Sequence, residues 1–261
     1  MNFYANKTVF VAGGTSGINL GIAEVFATAG AKVAVLSRRQ EKVNAAVAQL
    51  SAKGAAAMGF AADVRDSDAV SAALEKTVHE WGPIDVLVSG AAGNFLAPGA
   101  DLSPNGFKVV VDIDLIGTFN VIRMAWPHLR KPGAAILNIT AAQSWLPTPL
   151  QVHVCAAKAG IDQITRPLAI EWGAHGVRVN AIAPGPIEGT EGMKRLASSP
   201  EAHQAWTESV PLKRFGTTQD IARAALWLCS EEASYVTGVI LPVDGGVALG
   251  GSSAIARAMQ S

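Results

Sequence analysis

Three stretches of this 261-residue chain combine residue types and spacings that could do chemistry. The first runs from Val9 to Ala23. An apolar run (Val9, Phe10, Val11) ends at Gly13-Gly14, and Thr15, Ser16 and Gly17 follow. Ile18, Ile22, Val25 and Phe26 then recur at helical spacing. A strand, a glycine-rich turn and a helix in this order bring backbone N–H groups and a helix N-terminus to a pyrophosphate. The same glycines also suit a turn that is merely tight. The second stretch is Ser37-Arg38-Arg39, about twenty residues further on, where an NAD site would want Asp or Glu for the ribose 2′-hydroxyl. Ser and two Arg suit a 2′-phosphate, which favours NADP(H); the alternative is a solvated helix start. The third is a set of charges in apolar surroundings. Lys158 stands among Cys155, Ala156, Ala157, Ala159 and Ile161, a poor place for a random surface ammonium. Asp112 and Asp114 interrupt a similar apolar pattern. Two residues apart on a helix is about 200° of rotation, so the two carboxylates cannot face one site. A buried one needs a partner or a job; the alternative is one surface residue and one structural hydrogen bond.

Positioning these residues takes an alternation of strands and helices. Strands are expected near Lys7 to Val11, at Lys32–Leu36 after a helix stop at Gly30, and at Ala55–Ala61, Ile84–Val88, Ala134–Ile139, Val177–Ile182 and Val239–Val243. Helices are expected at Glu41–Lys53, Ser67–Trp81, Ser103–Leu129 as one long helix, Val154–Trp172 with Pro167 bending it, and Asp220–Cys229. Asp63-Val64 ends the third strand, where the Asp meets an adenine or caps the next helix. Small residues follow the fourth strand, Ser89-Gly90-Ala91-Ala92-Gly93, then Asn94-Phe95, and would let a cofactor lie across its end. Glu191 to Gln204 is a partly helical excursion of the kind that often forms a lid. Such alternation with short loops predicts an α/β fold: a doubly wound parallel sheet with ligands at the strands' C-terminal ends. No domain boundary and no repeat interrupts it, so residues 1–261 read as one domain.

Bulk properties narrow the partners. Hydrophobic residues make up 49% and charged ones 16%, enough for one large α/β core. Lys+Arg equals Asp+Glu at 21 each, which argues against nucleic acid or an anionic membrane as a partner. Cys155 and Cys229 make no disulfide framework, and no Cys/His spacing resembles a metal site. The longest uncharged stretch, Pro132 to Ala157, carries Asn138, Gln143, Pro147 and Pro149, which suit strand and loop rather than a membrane helix. No apolar leader precedes the first strand, and Met259-Gln260-Ser261 is not a peroxisomal-type signal; a cytoplasmic location is expected.

Nearly the whole chain resembles the short-chain dehydrogenase/reductase family. The resemblance rests on Gly13-x-x-x-Gly17, Asp63-Val64, Leu87-Val88-Ser89-Gly90-Ala91, Lys158, Arg178-Val179-Asn180, Pro184-Gly185-Pro186-Ile187 and Asp244-Gly245-Gly246. It implies a Rossmann fold with a seven-stranded parallel sheet, usually in a homotetramer. It also implies NADP(H) contacts at Gly13, Thr15, Ser16, Gly17, Ile18, Ser37, Arg38, Arg39, Asp63, Val64, Gly90, Ala91, Lys158, Pro184, Gly185, Pro186 and Ile187.

The departures from the family pattern are informative. The third turn glycine is Asn19, which tolerates left-handed backbone angles better than most residues. The catalytic Tyr, four residues before the Lys, is Val154; the Ser thirteen before that is Ala141; the Asn of the central helix is Asp114. Ordinary alcohol/ketone interconversion loses both its phenol and its hydroxyl. One branch, the 2,4-dienoyl-CoA reductases, lacks that Tyr. The chain is similar to its peroxisomal type at Ala91-Ala92-Gly93-Asn94-Phe95-Leu96, Asp112-Ile113-Asp114, Gly117-Thr118-Phe119-Asn120-Val121, Leu150-Gln151-Val152-His153 and Gly189-Thr190-Glu191-Gly192. This resemblance implies NADPH-dependent reduction of a 2,4-dienoyl thioester in unsaturated fatty acid β-oxidation. Asp114 and Lys158 are the implied catalytic residues, Asn94 and Phe95 orient the acyl-CoA, and His153 either relays a proton or packs. Lys194 and Arg195 either meet CoA phosphates or are solvated. Two rivals stand beside it. One is a carbonyl or 3-oxoacyl reductase using His153 or Ser144 as acid; the other is a nucleotide-binding pseudoenzyme.

Overall fold

The computed structural model describes residues 3–197 and 199–252. Seven parallel strands form one sheet, in the order 3-2-1-4-5-6-7. They are β1 (Thr8–Ala12), β2 (Lys32–Ser37), β3 (Ala57–Ala61), β4 (Val86–Ser89), β5 (Ala135–Ile139), β6 (Arg178–Pro184) and β7 (Ile240–Val243). The helices between them are α1 (Gly17–Thr28), α2 (Gln40–Ser51), α3 (Ser67–Trp81), α4 (Pro104–Val111), α5 (Gly117–Ala125), α6 (Val152–Gly173), α7 (Glu191–Leu196), α8 (Pro200–Ser209) and α9 (Thr218–Cys229). β1 pairs with both β2 and β4, so the chain reverses direction across the sheet there. That crevice is where open α/β sheets bind ligands.

The period-2 geometry of strands explains why these apolar runs are continuous. Val9, Val11, Val33 and Val35 point to one face and pack with Ile22, Phe26 and Leu228 of α1 and α9. Phe10, Ala12, Ala34 and Leu36 point to the other and pack with Leu74 and Ile122 of α3 and α5. Both faces are dry, as a parallel sheet requires. The expected element types all appear, with strand and helix ends shifted by a few residues. Pro167 lies inside α6 without ending it.

Four local expectations are corrected. The long central helix is not continuous: a π-helical turn at Asp112–Ile116 separates α4 from α5, and a 3-10 turn at Trp126–His128 ends the run, where Pro127 lacks an N–H. Asn19 is not left-handed. It sits inside α1, buried, and its Nδ2 donates to the Gly90 carbonyl at 2.7 Å. The cap of α3 is Asp66, which accepts from the N–H groups of Asp68 and Ala69, rather than Asp63. The excursion after β6 is more helical than expected and extends to Ser209 through α8. The Met259-Gln260-Ser261 terminus lies outside the described residues.

Candidate active site

The glycine turn meets the end of β4 at close range. Gly13 has φ +79°, and a Cβ there would stand 2.8 Å from the Ala91 nitrogen. Only glycine allows this approach. Gly13, Thr15 and Ser16 line a cavity of about 250 Å³ together with Ser37, Arg38 and Arg39. Lys42 adds a third cation, and Asp63, Val64, Gly90 and Ala91 close the far wall. The Asp63 carboxylate is held by Arg65, Nε to Oδ1 at 3.0 Å and Nη2 to Oδ2 at 2.7 Å, and these bonds lower its pKa. Among the described residues the Arg39 guanidinium makes only an exposed, 3.7 Å contact with Glu41. The cavity rim is therefore net basic where an anion would lie. A glycine cradle at a helix N-terminus beside a basic rim fits the pyrophosphate of a dinucleotide.

A second cavity, about 510 Å³, shares Asn19, Gly90 and Ala92 with the first and lies over the C-terminal ends of β5 and β6. Its lining is mainly apolar: Leu96, Leu146, Leu150, Met193 and Trp206 face it. Gly17, Ile18, Lys158 and Pro184 to Ile187 complete it, so the two cavities form one cleft.

The polar centre of this cleft is a buried pair. Lys158 Nζ lies 3.1 Å from Asp114 Oδ2, and their side chains are 8% and 1% exposed. Lys158 also donates to the Ile139 carbonyl at 3.3 Å, and Asp114 Oδ1 accepts the Gly93 N–H at 2.7 Å. Gly160 makes the meeting of α6 with the π-turn possible. A Cβ there would stand 2.7 Å from a Leu115 methyl. Asp112 turns the other way and pairs with Lys108, as the angular argument requires.

The remaining expected site residues are distributed unevenly. Asn94 lines the large cavity; Phe95 and His153 do not. Those two rings pack on each other at 4.4 Å, and His153 is fully buried with neither ring nitrogen hydrogen-bonded among the described residues. Ala141 lines the cavity, whereas Val154 is packed with Val110 and Ala157. Ser144 donates to Asp162 at 2.6 Å. Arg195 reaches from α7 to the Asn94 carbonyl at 2.5 Å, and Lys194 lies 3.5 Å from Glu191. Thr140 and Trp206 also reach the site. Nothing in their sequence surroundings marks them; only the fold brings them to the cleft. Among the described residues no cluster of His, Cys, Asp and Glu could hold a metal ion, and no helix is long and apolar enough to cross a membrane.

Comparison with known proteins agrees with this architecture. The family model described as Enoyl-(Acyl carrier protein) reductase matches residues 12–248. The chain belongs to the short-chain dehydrogenase/reductase family. It is therefore an oxidoreductase by family, with a Rossmann fold that implies a nicotinamide cofactor. It is 45% identical to the peroxisomal 2,4-dienoyl-CoA reductase [(3E)-enoyl-CoA-producing] of Rattus norvegicus over 243 residues, 92% of this chain and 83% of that one. It is 38% identical to a 3-oxoacyl-[acyl-carrier-protein] reductase of Chlamydia muridarum, over 93% of this chain and 98% of that relative. A crystal structure of a short chain dehydrogenase from Bacillus anthracis superposes with a TM-score of 0.86 at 37% identity, covering 94% of this chain and 97% of that chain. Within this family the absence of Tyr and Ser at positions 154 and 141 is the departure that bears on chemistry.

Proposed function

We propose that the protein reduces 2,4-dienoyl-CoA thioesters to 3-enoyl-CoA with NADPH, a step in the β-oxidation of unsaturated fatty acids. The observation that carries this reading is the buried Lys158–Asp114 pair, in which Lys158 lines a large apolar cavity and Asp114 is fully buried beside it, with no hydroxyl at positions 141 and 154. The resemblance to relatives named for this reaction supports it.

Bound NADPH would supply a hydride. Gly13, Thr15, Ser16, Gly17 and Ile18 would hold its pyrophosphate; Ser37, Arg38 and Arg39 its 2′-phosphate; Asp63, Val64, Gly90 and Ala91 its adenosine end. Lys158 and Pro184 to Ile187 would hold the nicotinamide end. When the far end of a conjugated dienoyl thioester gains a hydride, negative charge collects on the thioester oxygen and no alkoxide forms. No phenol is then needed. What is needed is positive potential and a proton for carbon. Lys158, desolvated beside the cavity, adds positive potential at short range. Asp114 would hold or protonate a catalytic water. Its carboxylate is fixed by Gly93 and Lys158, so the proton path costs little reorganisation. Asn94 would orient the thioester, Phe95 would back it, and His153 would act through Phe95 packing.

The second reading, a 3-oxoacyl reductase, draws on the Chlamydia muridarum relative. It needs an acid for an alkoxide. The two rival donors are Ser144, engaged with Asp162, and His153, buried behind Phe95. Both cost it support. The test is to offer purified protein and NADPH either 2,4-hexadienoyl-CoA or acetoacetyl-CoA and to identify the product by NMR. Reduction of the dienoyl thioester alone, with the remaining double bond at C3, supports the proposal. Reduction of the 3-oxo thioester alone overturns it.

One NADP-binding domain, a homotetramer and a cytoplasmic location belong to the same proposal. Exposed Ile116 and Phe119 on the π-turn and α5, with Ile170 on α6 82% exposed, supply apolar surface for self-association. Light scattering and cell fractionation check the last two.

A further inference from the structure

Gln151 is 1% exposed, yet it lines the large cavity. A buried amide normally spends both its donor and its acceptor on protein groups. Here its Oε1 accepts from Gln143 Nε2 at 3.1 Å, and its Nε2 donates to Asn94 Oδ1 at 3.2 Å. Three amides thus stand in a row, each donating to the next. The row has a direction. Asn94 lines the cavity, and with its Oδ1 already accepting from Gln151 its Nδ2, with two N–H donors, is the amide group left to serve a ligand there.

The loop carrying Asn94 is held from every side. The Gly93 N–H goes to Asp114 and the Asn94 carbonyl takes Arg195. The Ala97 N–H donates to the Leu150 carbonyl at 3.0 Å. Leu150 itself has φ +66°, a left-handed angle unfavourable for leucine. Strain of this kind persists only where neighbouring contacts enforce it, and it sits one residue before Gln151.

We infer that Gln151 is a positioning residue: through the Gln143–Gln151–Asn94 row it fixes the Asn94 amide as a hydrogen-bond donor to the thioester oxygen of the acyl substrate. The inference rests on the dienoyl-thioester reading. As negative charge grows on that oxygen, a donor already aimed at it strengthens without reorganising. The row also explains a requirement that a mere loop cross-link lacks. Gln151 must both donate and accept, and the order of donors must run from position 143 to position 94.

Gln151→Glu separates the two. An ionised Glu accepts only, so it repels Asn94 Oδ1 and the row loses its direction. A protonated Glu accepts on one oxygen and donates from the other, and so restores it. The expected result is a kcat on the order of 10²-fold below the parent at about pH 8, with KM little changed. Relative to the parent measured at each pH, kcat recovers as the pH is lowered toward the carboxyl pKa, which burial raises. Asn94→Ala loses kcat without pH recovery. An equal loss in Gln151→Glu at every pH, or none, overturns the inference.

Isotope-edited infrared spectroscopy of bound dienoyl-CoA supplies a readout independent of turnover. The thioester C=O stretch should fall on binding to the parent and return toward its unbound value in Asn94→Ala. An unshifted stretch, or no binding of the thioester, overturns the assignment. A parent that shifts the stretch but does not oxidise NADPH leaves the donor in place and removes the reductase reading instead.

Discussion

At the scale of single residues, the Lys158–Asp114 pair is the most costly feature of the cleft. Two charges leave water to form it, so removing one partner leaves the other stranded. Asp114→Ala should destabilise the fold by about 3–5 kcal/mol in urea unfolding. The double variant Asp114→Leu/Lys158→Met should recover most of that stability while remaining inactive. If the single variant is as stable as the parent, the pair is not desolvated as described. Arg38 and Arg39 make a second prediction. Charge-assisted hydrogen bonds contribute about 1.5–3 kcal/mol. Arg38→Ala should therefore raise KM for NADPH by about 10- to 100-fold and leave KM for NADH unchanged. Equal changes for both cofactors would contradict the 2′-phosphate role. Residue types were legible in the sequence here. Lys158 and Asp114 stood out because charge in an apolar run needs a reason, and the structure puts them 3.1 Å apart. Gln151 was not legible as a functional residue, since its two partners lie 8 and 57 positions away in the chain.

At the scale of elements, the strands were read well because period-2 burial on both faces leaves an unbroken apolar signature. The π-turn was missed. Its residues keep helical spacing, and a single π-turn leaves no mark in a hydrophobic pattern. Asn19 departs from expectation for a related reason: a family pattern assigns glycine there, but the helix has already begun at Gly17. α9 offers an element-level prediction. Thr217 and Asp220 form a reciprocal capping box, and Arg214 donates to both Asp220 oxygens, at 2.8 and 3.2 Å. The Arg214 hydrogen bonds, foremost, hold the Asp220 carboxyl well below the usual carboxylate range. A depressed folded-state pKa adds stability that is fully present above the unfolded value, about 3.9, and is lost as pH falls through the folded value. Asp220→Asn should therefore be less stable than the parent near pH 7, and the gap should begin to narrow below about pH 4 and close only as the pH falls through the much lower folded-state value. Urea unfolding at several pH values checks this. A gap that ignores pH would mean that the carboxylate charge is not what caps the helix.

At the scale of the molecule, the sheet order places β1 beside β4 and so puts the glycine turn, the end of β4 and the buried pair in one cleft. The order of elements was legible, because alternating strands and helices admit few right-handed connections. The residues that α7 and α8 bring over the cavity were not, because a lid's contacts depend on the whole fold. The proposed reduction of a dienoyl thioester in this cleft depends on Asp114 and Lys158. It is tested most directly by following NADPH absorbance with purified protein and a 2,4-dienoyl-CoA, for the parent, Asp114→Ala and Lys158→Ala. Each variant is first checked for folding and for thermal stabilisation by NADPH. Turnover by the parent and a loss on the order of 10²-fold or more in both variants are expected. A parent that NADPH stabilises but that never reduces the dienoyl thioester, or variants that turn over at the parent's rate, would contradict the proposal.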